Sequence, residues 1–383
     1  MGDIVSQRVE AVASNSTVEP RCPVWLYPAA ALMSSLLRSP VALAAGAVLL
    51  AFATCALPAR KPDPTAATAA PPPGLRVARV GLVFDVGGRG DKSFNDAAYA
   101  GLARARAELG AMVEYVEPMD ADDRVSALRL FAARGFDLVI GVGYMFSRDV
   151  DEVARDHGAV RFACVDYAPP ERGAVPPNVV GLGFREEEGT FLVGAAAALS
   201  SRSGRVGFVG GMDIPLIRKF ERGYRAGVRA VCPTCSVTAA YAGSTPNAFR
   251  DPAKGEALAT AQYAQGVDVI FHASGTTGHG VFVAAHRLRR FAIGVDADQY
   301  DEMPDAVLTS MIKRVDVAVF DTIRDVAAGR FTRGPNGIRV FGVADRGIDW
   351  VSRGPHARHL QPAVVERVDA LRAQIAAGSL RVE

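Results

Sequence analysis

Cysteine is scarce in this 383-residue chain: Cys22, Cys55, Cys164, Cys232 and Cys235 stand at irregular spacings. That excludes a disulfide framework as the basis of the fold. Histidine is scarce as well, and its six residues show no HxxxH or other ligand spacing, so no metal site is expected. Charge is nearly balanced, at +2 overall, with Lys and Arg scattered and not gathered in a basic stripe. Nucleic acid is therefore not an expected partner. No Ser-His-Asp order, nucleophile elbow or glycosidase carboxylate pair can be argued from the spacing, so neither a catalytic residue nor a cofactor is expected. Hydrophobic residues make up 49% of the chain, enough for one large or two medium cores.

What is present begins near Met33, where the chain reads MSSLLRSPVALAAGAVLLAFATC. Arg38 supplies a basic start, Val41 to Ala53 an apolar run, and small residues precede Cys55. These are the marks of a secretory signal, and the run is too short to span a bilayer comfortably. A cysteine closing such a segment resembles a lipobox, so residues 33–55 read as a lipoprotein signal with Cys55 as the lipidation site. An uncleaved anchor and ordinary signal-peptidase cleavage are the alternatives. Residues 1–32 are then an upstream extension. Residues 56–74, rich in Pro, Ala and Thr, read as a stiff tether, and the folded part is expected from Leu75.

Beyond Leu75, apolar runs alternate with helical patterns. The runs are 77–85, 137–143, 160–167, 179–184, 205–211, 237–243, 267–274, 291–296, 307–313 and 338–343. Continuous Val/Ile/Phe runs of this length suit strands buried on both faces. In 94–109, Phe94, Ala97, Ala98, Gly101, Leu102, Ala105 and Leu109 share one face, and Ser93 with Asp96 resembles a capping box. The alternation predicts an α/β class with doubly wound parallel sheets, and the length predicts two such lobes.

Ligands of open parallel sheets sit beyond the carboxyl ends of the strands. The residues there are Asp85, Tyr144, Asp166, Gly210–Gly211, Gly243–Ser244, Ser274–Gly275, Asp296 and Lys313. Charged groups at strand ends favour a polar ligand in a cleft. DVGGRGDKSFN (85–95) joins the first strand to the first helix; it lacks both the Gly-Lys-Ser/Thr of a phosphate loop and GxGxxG spacing. A tight turn is one reading of it. The other uses Phe94, an aromatic at the loop mouth, for base stacking. GTTGHG (275–280) is a second glycine-rich turn, in which His279 reads as a surface residue. Cys232-Pro-Thr-Cys235 follows a helical stretch and suits a local disulfide in an exported protein, while Cys164 reads as core.

Several ordered blocks resemble the basic membrane protein family of ABC-transporter substrate-binding lipoproteins, which includes purine nucleoside-binding members. They are DVGGRGDKSFNDAAYAGL, FREEEGTFLVGAAAA, VGFVGGMDIPLIRKFERGYRAGV, YAGSTPNAFRDPAKG, DVIFHASGTTGHGVFVAA, GVDADQ and VLTSMIKRVD, within 77–351. The resemblance implies a type I periplasmic-binding-protein fold, two doubly wound α/β lobes joined by a three-stranded hinge. Lobe 1 would comprise 75–183 and about 314–338, and lobe 2 184–313 and about 339–383. It implies a purine nucleoside between Phe94 and Phe249, with Asp85 and Asp166 near the base, Asp296 on the ribose hydroxyls and Asn95 as a further ligand-binding residue. Lys313 and Gly275 would complete the cleft, Lys313 keeping Asp296 ionised; Phe220 is the fallback stacking residue. The implied protein is a monomer, exported and held at the membrane by its lipid, that serves an ABC permease. A ligand sensor of the same fold and a nucleoside-processing enzyme are the competing readings.

Overall fold

The computed structural model describes residues 70–85, 87–119, 121–171 and 173–382. The expected upstream extension, signal segment and Cys55 lie outside these residues, as does most of the tether. The first docked backbone contact is Arg76 N–H to the Ala327 carbonyl, 2.9 Å.

The apolar runs become two six-stranded sheets. In the first, β1 (Arg79–Val83), β2 (Met112–Val116), β3 (Leu138–Val142), β4 (Arg161–Val165), β5 (Val179–Phe184) and β11 (Ile338–Phe341) lie in the order β11-β5-β4-β3-β1-β2, all parallel. The second contains β6 (Arg205–Met212), β7 (Ser236–Gly243), β8 (Val269–Ala273), β9 (Phe291–Asp296), β10 (Val307–Lys313) and β12 (Ile348–Trp350) in the order β12-β10-β9-β8-β6-β7. Only β12 is antiparallel there, against β10.

Both faces of each sheet are covered. Successive side chains point to opposite faces, so Leu82 enters one core and Val83 another, as do Phe208 and Val209. Each such burial contributes about 1.5–3 kcal/mol. Helices α1 (Phe94–Leu109) and α8 (Val315–Ala327) cover one face of the first sheet, and α2 (Ala121–Ala133) and α3 (Phe146–Asp156) the other. The second sheet has α4 (Glu186–Ser200), α5 (Pro215–Val231) and α9 (Pro362–Ala376) on one face, with α6 (Pro252–Ala264) and α7 (Thr277–Leu288) on the other. α4 and α5 pack backbone to backbone: a Cβ on Gly194 or Gly227 would collide with the Tyr224 or Phe191 carbonyl. Cys232 and Cys235 are joined in a disulfide after α5, and Cys164 is a buried free thiol.

The chain passes between the sheets three times: from β5 into α4, from β10 into α8, and from β11 to β12. The crossings hold one another. Arg185 N–H donates to the Phe341 carbonyl (2.8 Å), Arg314 N–H to that of Gly347 (2.9 Å), and Val343 N–H to Glu188 Oε2 (2.7 Å). The expected boundary near 338 needs correction, because β11 pairs with β5 and the chain stays with the first sheet through Phe341.

Candidate functional site

The carboxyl ends of both sheets face one cavity between the lobes. Asp85, Phe94, Asn95 and Asp166 line it from lobe 1, and Phe249, Gly275, Asp296 and Lys313 from lobe 2. Phe220, Asp91 and Ser274 share its wall. Two of the acids end strands in the left-handed region, Asp166 at φ 58° and Asp296 at φ 66°. Aspartate tolerates that conformation better than most residues, and it is a turn that a continuing strand would not make.

The loop before α1 departs from the expected capping box. Ser93 makes no side-chain cap. Asp91 does the capping: its Oδ1 accepts from Ser93 N–H (3.0 Å) and Asp96 N–H (3.1 Å), and its Oδ2 from Asn95 N–H (2.8 Å). Asn95 Nδ2 also donates to Asp91 Oδ2 (3.1 Å), and Asn95 Oδ1 accepts from Asp85 N–H (3.2 Å). The Asn95 amide is thus largely spent on shaping the loop and presents one remaining N–H. Ser93 is released to reach the other lobe, where its hydroxyl lies 2.9 Å from Asp296 Oδ2 and 3.0 Å from the Val295 carbonyl.

Phe249 ends a one-turn 3-10 segment, Pro246–Phe249. Thr277 Oγ1 pins this turn, donating to the Ala248 carbonyl and accepting from Asp251 N–H, each at 2.8 Å. The Phe249 ring lies against Gly211, where any Cβ would collide with it. The long GSTPNAF segment therefore keeps Phe249 on the cavity wall, and Phe220 stands there with it.

Lys313 is buried at the floor of the cavity. Its Nζ lies 2.6 Å from Asp166 Oδ1 and 3.1 Å from Glu186 Oε1. The rings of Phe94, Phe184 and Phe220 stand around it, with centroids at 5.1, 4.9 and 5.6 Å. Burial alone would lower the Lys313 pKa, but Asp166, Glu186 and Asp296 outweigh it and hold the ammonium charged. Glu186 is also held by Lys219 Nζ (2.7 Å), which donates further to the Phe184 carbonyl (2.6 Å). Burial works against ionised Glu186, yet the two lysines keep its pKa below the usual value.

Asp296 behaves differently from expectation. Burial pushes its pKa up to about 7, and neither Lys313 nor the Ser93 hydroxyl brings it back. The ammonium that was to keep Asp296 ionised makes its close contacts with Asp166 and Glu186 instead. Glu186, Asp91 and Ser93 are the residues that sequence reasoning missed. Glu186 sits in a run of three acids at the start of α4, a pattern that reads as helix-dipole compensation and hides its second use.

Two doubly wound lobes, three crossings and a polar, aromatic-walled cavity at the facing strand ends define a solute-binding protein of the type I periplasmic-binding class. The chain belongs to the basic membrane protein family: the family model described as ABC transporter substrate-binding protein PnrA-like matches residues 78–375. It is similar to an uncharacterized lipoprotein of Pyrococcus horikoshii, 35% identical over 71% of this chain and 68% of that one. The ABC transporter nucleoside-binding protein BmpA of Lactococcus lactis is 30% identical over 71% of this chain and 80% of its own. Among solved structures, an ABC transporter solute-binding protein of Aeropyrum pernix K1 superposes with a TM-score of 0.70 at 30% identity, covering 79% of this chain and 92% of that one. The family and the superposed structure imply a small-molecule ligand and a permease partner. No described helix is long and apolar enough to cross a membrane.

Proposed function

We propose that this protein is the exported, lipid-anchored receptor of an ABC importer and that its cavity takes a purine nucleoside. The observation that carries the reading is that Phe94 from one lobe and Phe249 from the other line a single cavity together with the carboxyl groups of Asp85, Asp166 and Asp296. A purine offers two flat faces, and stacking on both requires the lobes to be closed. Closure then gives the permease a shape to read. A ribose diol presents two adjacent hydroxyls that the Asp296 carboxylate accepts together. The nucleoside-binding relative from Lactococcus lactis supports the ligand class, and the lipoprotein relative from Pyrococcus horikoshii supports Cys55 as the anchor.

Mass spectrometry of ligand released from the denatured protein tests the reading directly, with a purine nucleoside as the expected species. Calorimetry tests it a second way. Asp91, Asp166 and Asp296 line the cavity against Lys313, so a 5′-phosphate meets an excess of carboxyl groups. A nucleotide that binds more tightly than its nucleoside would overturn the assignment. For the anchor, Cys55→Ala should abolish metabolic lipid labelling.

A further inference from the structure

One cavity residue has its hydrogen-bonding role dictated from behind. Gln299 Oε1 accepts from the Val295 backbone N–H at 2.8 Å, which fixes that atom as the oxygen, because a flipped amide would set donor against donor. The same oxygen lies 3.1 Å from His272 Nε2. Two acceptors cannot share a hydrogen bond without a proton, so Nε2 carries one. His272 is fully buried against Phe282 and Gly278, and burial pushes its pKa down to about 4, so the ring is neutral and Nδ1 is bare. Ser274 Oγ lies 3.3 Å from Nδ1, and the hydroxyl proton must be directed there. Ser274 has then no proton left for the cavity. It meets a ligand only as an acceptor.

The position of this acceptor is also set. β8 and β9 are parallel neighbours; Ser274 follows the last residue of β8 and Asp296 is the last residue of β9, and both line the cavity. If Asp296 holds the 2′,3′-diol, the sugar donor that remains is the 5′-hydroxyl. We infer that Ser274, oriented by the His272–Gln299 relay, is a specificity-determining contact that accepts a hydrogen bond from the 5′-hydroxyl of the nucleoside. The inference rests on the nucleoside reading and deepens it. It supplies a second reason for rejecting 5′-phosphates, whose ester oxygen would face Ser274 lone pair to lone pair.

Calorimetry with inosine and 5′-deoxyinosine tests the assignment. The wild-type protein should bind inosine roughly 3- to 10-fold more tightly, the effect of one neutral hydrogen bond. Ser274→Ala should remove that difference by weakening inosine alone. Long-range ¹H–¹⁵N spectra of the histidine rings give a readout independent of any ligand, and should show His272 protonated at Nε2 and bare at Nδ1. If the wild type binds no purine nucleoside, the nucleoside reading falls and takes this assignment with it. If it binds inosine but treats the 5′-deoxy analogue equally, or if Ser274→Ala weakens both alike, only the Ser274 assignment is overturned. A ring protonated at Nδ1 overturns it as well.

Discussion

The two lobes repeat one βα pattern, yet their cleft-facing edges carry different chemistry. Lobe 1 contributes Asp85, Asp91 and Asp166 with the rings of Phe94 and Tyr144; lobe 2 contributes Phe220 and Phe249, one carboxyl and the only ammonium on the cavity wall among the described residues. The acids within the site differ too. Asp166 lies 2.6 Å from Lys313, whereas Asp296 has a serine hydroxyl and a pKa near 7. Neither edge is a binding site alone. The acidic edge needs the cation that the other lobe supplies, since Asp166 lies 2.6 Å from Lys313. The contrast shows that lobes of the same fold can carry complementary halves of one cavity wall.

The largest expected effect comes from removing the group that joins the edges. Lys313→Met leaves Asp166 and Glu186 buried without their shared cation, a change that typically costs about 3–5 kcal/mol. Denaturant unfolding should show a lower midpoint, and adding Asp166→Asn should recover part of it. If the midpoint stays put, the electrostatic joint between the lobes is not what holds them.

The rings come next. Phe94→Ala and Phe249→Ala should each weaken every purine nucleoside by roughly 5- to 150-fold, from about 1–3 kcal/mol per stacked base. Similar losses from the two lobes sharpen the comparison. A loss confined to Phe249→Ala would take Phe94 of lobe 1 out of the stacking.

A smaller effect follows from Asp296. Its folded pKa of about 7 lies above the ordinary value of about 3.9. Between these values the folded protein therefore holds a proton that the unfolded chain releases, so this group's contribution to stability falls as pH rises from about 4 to 7. A bound diol donates to the carboxylate and favours its ionised form, so nucleoside affinity should rise from pH 6 to 8 with proton release. Calorimetry in buffers of different ionisation enthalpy reads that release, and Asp296→Asn should abolish it. The same variant should add little loss for a 2′,3′-dideoxynucleoside, which has no diol to lose.

Smallest is a change far from either edge. Cys232→Ser with Cys235→Ser opens a very short loop at the far end of α5, with an expected cost of about 2 kcal/mol or less. It should lower the melting temperature and leave nucleoside affinity alone. An affinity change would mean that lobe 2 transmits strain from its base to the cleft.

Much of this was legible in the sequence for definite reasons. Strands buried on both faces read as unbroken Val/Ile/Phe runs, and the strand-end rule led straight to Asp85, Asp166, Asp296 and Lys313. Met112–Val116 escaped because this edge strand reads MVEYV, partly exposed and interrupted by an acid. Ile348–Trp350 escaped because three residues carry no periodicity. Hidden in another way were partners brought together only by the tertiary fold. Ser93 pairs with a residue 203 positions away, and the proton on His272 is dictated by Gln299 and Val295. No local pattern encodes either: the first contact exists only once the lobes face each other, the second only once β8 and β9 lie side by side.

The three passages between the sheets also bear on how the chain comes off the ribosome. Strand β11 and helix α8 belong to the first lobe but emerge after nearly all of the second, while β12 and α9 of the second follow them. Neither lobe can complete its sheet until residues beyond 338 have been made. Through most of translation the nascent chain thus lacks a finished domain, and a chain without one is what a secretion channel can thread.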